Sequence, residues 1–233
     1  MSIKAVLLDM GSTLFRDINA WQLIVDNVSK ILYDYGFKLE KEKLGKALRE
    51  WTDVVNLTER DRVEYSNVLR ITCTFKKLGL PLNPRLIWEA FKAYINGVIE
   101  GHTLEDDAVD TLNKLKESGY ILGVISNAAS YETTYTLILK YNLDKYFSVV
   151  ISSQAVVWKK PSKEIFHLAC DLLDIYPSEA VYVGDDPKAD IEGAKRAGLK
   201  AIQKVIPGRA ISPIADAIIY RLSELPTVLE KLH

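Results

Sequence analysis

VYVGDDPKADIEGAKRAGL, Val181 to Leu199, is the stretch on which the fold turns. Three apolar residues, Val181 to Val183, end in Gly184-Asp185, as a buried strand ends in a turn. Asp186 suits an N-cap, Pro187 the first helical position and Asp190 the first turn. A helical pattern over Lys188 to Ala197 follows, and Gly198 closes it. Strand, polar turn and returning helix make half of a parallel crossover unit.

The same rhythm extends outward from this stretch. Ile3 to Leu8 is a short apolar run ending in Asp9, broken by Gly11-Ser12-Thr13. Helical patterns over Glu105 to Ser118, Tyr131 to Tyr141 and Ser162 to Leu173 alternate with strand-like runs at Ile121 to Ile125 and Ser148 to Ser152. Weaker strands fall at Leu199 to Gln203 and Asp216 to Ile219, with a last helix near Ser223 to Leu232. Between the first strand and its partners the pattern is helical throughout. WQLIVDNVSKILYDYGF carries an apolar stripe at Leu23, Ile24, Val28, Ile31, Leu32 and Tyr35. Helices are predicted over Lys41 to Val55, Asp61 to Leu78 and Arg85 to Ile99, with no strand in this segment. Trp21, Trp51 and Trp88 fall at helical positions and read as its core. The fold class predicted is α/β, a doubly wound, Rossmann-like parallel-sheet core (residues 1–16 plus 102–233) with an all-helical domain inserted at 17–101.

Composition narrows the function classes. The 233 residues are 48% apolar and 26% charged, an ordinary globular mixture. Lys plus Arg is 30 and Asp plus Glu is 31, a net charge of -1 that offers no global attraction for nucleic acid. Cys73 and Cys170 share no metal-binding spacing and read as free buried thiols of a reducing compartment. No stretch of about 18 apolar residues exists to span a membrane. The N-terminal apolar run is too short for a secretion signal, so a cytoplasmic protein is expected.

In open parallel sheets, ligands bind beyond the carboxyl ends of the strands. Asp9, Ser126-Asn127, Lys160 before Pro161, and the acids Asp185, Asp186 and Asp190 all fall there. Singly, each has an ordinary reading as a turn former, cap or solvated charge. Together they suit phosphoryl transfer. A carboxylate can act as nucleophile. Paired carboxylates need a cation such as Mg²⁺. A lysine, a hydroxyl and loop N–H groups can hold phosphate oxygens. Arg16 and Asp17, at the entry to the helical segment, read as a solvated salt-bridge pair.

These residues resemble the motifs of the haloacid dehalogenase superfamily. The first appears as LLDMGSTLF (Leu7 to Phe15), the second as GVISNA with Ser126, and the third as KKPSKEIF with Lys160. The fourth and most specific is GDDPKADIEGAKRAGL, with Asp185 and Asp190. The helical insert is similar to that family's helical cap, which closes over the site. The resemblance implies that Asp9 is the nucleophile and Thr13 orients its loop. It implies that Ser126, Asn127 and Lys160 bind the transferring group. It also implies that Mg²⁺ is held by Asp9, Asp185, the Gly11 carbonyl, and Asp186 or Asp190 through water. The family's phosphatases carry a second Asp two residues after the nucleophile, as general acid and base. Here that position is Gly11, followed by Ser12. The expectation is a Mg²⁺-dependent phosphatase on a small phosphorylated molecule, monomeric or homodimeric. A haloacid dehalogenase or phosphonate hydrolase is the first alternative. A low-activity or non-catalytic binder of a phosphorylated ligand or partner protein is the second.

Overall fold

A computed structural model describes residues 2–55 and 63–232 of the chain. Contacts divide it into two compact units: Met1–Arg16 with Leu104–His233, and Asp17–Thr103.

The first unit is built on a six-stranded sheet. Its strands are β1 (Ala5–Leu8), β4 (Ile121–Ser126), β5 (Phe147–Ser152), β6 (Ala180–Gly184), β7 (Lys200–Lys204) and β8 (Ala217–Ile219). Their order is β5-β4-β1-β6-β7-β8, and every pairing is parallel. β1 and β6 are buried along their whole length, so both faces must be apolar. Leu7, Ile125, Ile151 and Tyr182 pack on one side against Phe166 and Ala169 of α8 (Lys163–Leu172). Leu8 pairs with Val124 on one side and Val183 on the other. This register brings Asp9, Ser126 and Asp185 out at one edge of the sheet.

The second unit is helical: α1 (Ala20–Asp34), α2 (Lys41–Arg49), α3 (Asn67–Leu78) and α4 (Pro84–Glu100). Its core includes Val28, Leu32, Leu44, Leu48, Ile71, Phe75 and Leu86. Gly97 lets α4 lie directly on α1, because a Cβ there would fall 2.5 Å from the Ile24 backbone nitrogen. Among the described residues, no helix is long and apolar enough to cross a membrane.

The structure departs from the sequence reading in several places. β2 (Phe15–Asp17) and β3 (His102–Leu104) form a two-stranded ribbon where no strand was expected. α3 starts at Asn67, capped by the Ser66 hydroxyl, rather than at position 61. Asp61 lies outside the described residues. The helix expected over Lys41 to Val55 ends at Arg49, and a 3₁₀ turn, Trp51–Val54, follows it. Trp51 is buried as expected, but Trp88 is half exposed, on the outward side of α4. Arg16 does not pair with Asp17; it reaches Glu105 and Asp106, while Asp17 accepts from the Ala20 amide at the start of α1.

The segment after β6 is not a plain α-helix either. Pro187–Glu192 forms a π-helical turn before α9 (Gly193–Arg196). The Asp186 carbonyl accepts from both Asp190 N (3.0 Å) and Ile191 N (3.2 Å). Such turns recur at functional sites because they re-aim a side chain without breaking the helix.

Candidate active site

Four side chains meet at the carboxyl edge of the sheet. Asp9 follows β1, Lys160 precedes α8, Tyr182 lies on β6, and Asp190 sits in the π-helical turn. All four are buried. The Lys160 ammonium donates to Asp9 Oδ1 (2.6 Å), Tyr182 OH (2.6 Å) and Asp190 Oδ1 (2.7 Å). An ammonium has three protons, so all its donors are used. Tyr182 OH donates to the Ile125 carbonyl at 2.8 Å, which commits its proton and turns a lone pair toward Lys160.

Asp9, Asp185 and Asp190 each offer a carboxylate oxygen within 4.8 Å of the others. Gly184 makes this approach possible. A Cβ there would lie 2.4 Å from the Asp190 carboxyl carbon. Asp190 Oδ2 accepts from the Asp186 amide at 2.9 Å, which fixes the turn. Asp185 Oδ2 is buried with no hydrogen-bond donor among the described residues. Arg209 Nε lies 3.0 Å from it, an ion-pair distance but outside hydrogen-bonding alignment. Three carboxylates face two cations, Lys160 and Arg209, and this excess of hard oxygen donors fits a divalent cation of the Mg²⁺ type.

Electrostatics follow from this crowding. Burial, with Asp190 adding, pushes Asp9 up to about 7 although Lys160 opposes the shift. Burial and Asp190 likewise raise Asp185 to about 6 against the pull of Arg209. Burial works against the Lys160 charge, but Asp190 and Asp9 outweigh it and hold the ammonium above the ordinary lysine value. Burial, then Asp190 and Asp9, drive the Tyr182 phenol well above its usual value, so it stays protonated.

The other expected residues sit at varying distance from this centre. Asp186 caps the π-helical turn, accepting from the Lys188 and Ala189 amides, and pairs with Arg209 NH1 at 2.6 Å. Those amides and Arg209 outweigh its burial and keep its carboxyl low. Asp186 stands apart from the carboxylate trio. Asn127 spends its side chain on the Lys160 backbone, accepting from Lys160 N (2.8 Å) and donating to Lys160 O (2.9 Å). Ser126 is buried at the end of β4. The Thr13 hydroxyl is buried without a hydrogen-bond partner among the described residues. Gly11 is exposed on the loop after Asp9.

Tyr182 and Arg209 were missed by sequence reasoning. Tyr182 had a signal: a phenol inside an apolar buried strand must find a partner. Arg209 follows Pro207-Gly208 in a long connection and had none.

A buried strand-end carboxylate, a buried lysine and an acidic cluster meet at one sheet edge, an arrangement that suits a hydrolase of the carboxylate-nucleophile class. A family model described as haloacid dehalogenase-like hydrolase matches residues 6–204, and the chain belongs to this family. A glyceraldehyde 3-phosphate phosphatase of Methanopyrus kandleri is 29% identical over 203 residues, spanning 86% of this chain and 83% of the relative. Among solved structures, a 2-haloacid dehalogenase from Pseudomonas syringae superposes with a TM-score of 0.81 at 25% identity, covering 99% of this chain and 100% of its own. A HAD phosphatase from Thermococcus onnurineus gives a TM-score of 0.71 at 26% identity, covering 97% and 98%.

Proposed function

We propose that this chain is a Mg²⁺-dependent phosphatase of a small phosphorylated metabolite, with Asp9 as nucleophile. The reading rests on one observation: the buried trio Asp9, Asp185 and Asp190, converging within 4.8 Å around Lys160. Asp185, Asp9 and the Gly11 carbonyl would hold the ion, with Asp190 behind them. Bound there, Mg²⁺ would supply charge neutralisation for the phosphate oxygens.

The chain's own residues account for the rest. Lys160 occupies Asp9 Oδ1, which leaves Oδ2 to attack phosphorus. The P–O bond to the leaving group breaks as the aspartyl phosphate forms, and water then cleaves the P–O bond of that acyl phosphate, releasing inorganic phosphate and restoring the Asp9 carboxylate. Lys160 keeps Asp9 and Asp190 together against their mutual repulsion. Ser126 and loop N–H groups would receive the phosphate oxygens; the Thr13 hydroxyl, expected to orient the loop, makes no hydrogen bond to it among the described residues. No carboxylate stands at Gly11 to protonate the leaving group, so that proton comes from water, a substrate group or another side chain.

The 2-haloacid dehalogenase likeness favours a second reading, C–halogen hydrolysis by the same Asp9. The carboxylate trio weighs against it, since that chemistry needs no cation. Initial rates on p-nitrophenyl phosphate, with and without Mg²⁺, test both. Mg²⁺-dependent turnover that falls by about 10³-fold or more in Asp9→Asn is expected. Turnover of a 2-haloacid in EDTA, with none of the phosphate ester, would establish the second reading instead.

A further inference from the structure

We propose that Lys204 is a positioning residue for the loop that carries the nucleophile; the inference rests on the phosphatase reading above. Lys204 ends β7, and its side chain is 6% exposed. A lysine buried in a strand must have its charge and donors satisfied. Its ammonium donates to the Ser12 carbonyl (2.9 Å), the Thr13 carbonyl (3.1 Å) and Glu105 Oε1 (2.6 Å). Two of three donors therefore go to backbone oxygens of the turn directly after Asp9 and Gly11. Glu105 supplies the compensating charge, and Arg16 holds its other oxygen at 3.3 Å.

The loop needs such a hold. Ser12 has φ 58°, in the left-handed region that a residue with a Cβ avoids. Its amide donates to the Phe15 carbonyl at 2.7 Å, and the amides of Thr13, Leu14 and Phe15 all converge on the Met10 carbonyl. The turn is thus tight, and the carbonyls of Ser12 and Thr13 are left for Lys204 to meet. Without the ammonium, Ser12 has reason to relax toward φ below zero. The Gly11-Ser12 peptide would turn with it, carrying off the Gly11 carbonyl and the loop N–H groups assigned to the cation and phosphate. Lys204 touches none of the reacting groups. It acts through the backbone.

The test compares wild type with Lys204→Met by hydrogen exchange and by kinetics on p-nitrophenyl phosphate with Mg²⁺. Faster exchange confined to residues 10–15 is expected, with β4 and β6 still protected. kcat should fall about 10- to 100-fold while KM stays within about threefold. Wild-type loop exchange overturns the proposal. So does a uniform loss of stability with kcat retained, which is what a merely structural lysine would give. If the methionine variant does not fold, Lys204→Met/Glu105→Gln removes both charges together and carries the same readouts. If the wild type hydrolyses no phosphate ester, the phosphatase reading fails, yet loop exchange still decides whether Lys204 holds the turn.

Discussion

Gly11 is the residue where sequence and chemistry disagree most sharply. A Cβ placed there meets nothing within 4 Å, and its backbone lies outside the left-handed region. A side chain can therefore start at this position without backbone strain. General acid catalysis contributes about 10²–10⁴-fold, and only where the leaving group needs a proton. Gly11→Asp is expected to raise kcat on an alkyl phosphate by about 10²-fold. The same change should do little for p-nitrophenyl phosphate, whose phenolate leaves unaided. Paired kinetics on the two esters check this. An unchanged alkyl rate would mean that another group already delivers the proton.

At the scale of an element, the decisive feature is the junction between β6 and the π-helical turn. The turn places Asp190 under Gly184 and hands its Oδ2 to the Asp186 amide. A methyl group at position 184 would collide with the carboxylate 2.4 Å away, with no flexible tail to yield. Gly184→Ala should cost about 1–3 kcal/mol of stability, as overpacking does. It should also displace Asp190 from Lys160 and abolish turnover. Thermal melts and initial rates measure both. The glycine and the acids were legible from the motif. The π-helical geometry was not, because it depends on Asp186 O accepting two amides, and composition does not encode that choice.

At the scale of the whole molecule, charge at the site couples to stability. Asp9, raised to about 7, and Asp185, raised to about 6, are both carboxyls whose ordinary value is 3.8. A raised folded value favours the protonated, folded form. The stability they contribute is complete below about pH 4 and lost as pH rises through 6 to 7. The carboxyls held low, such as Asp186 and Glu179, act below pH 4 and leave this window to the site. In EDTA the protein should therefore melt at lower temperature at pH 7.5 than at pH 5.5. Asp9→Asn should flatten that dependence, and Mg²⁺ should reverse the loss at pH 7.5 by binding the folded state. A melting temperature that rises with pH in EDTA would contradict this assignment.

The sequence by itself determined the alternation of strands and helices in the sheet unit, the parallel sheet, and the carboxylates and lysine at the strand ends. Those rest on local signals: apolar period, Gly and Pro punctuation, and acids directly after apolar runs. Only the tertiary structure decided how these residues divide the work. It placed Asp190 rather than Asp186 beside Asp9, and spent Asn127 on the Lys160 backbone. It also brought Tyr182, Arg209 and Lys204 to groups far away in the chain. The physical reason is register. Which side chain meets which carboxylate depends on how strands align and where a turn tightens, and those are properties of pairing between distant segments.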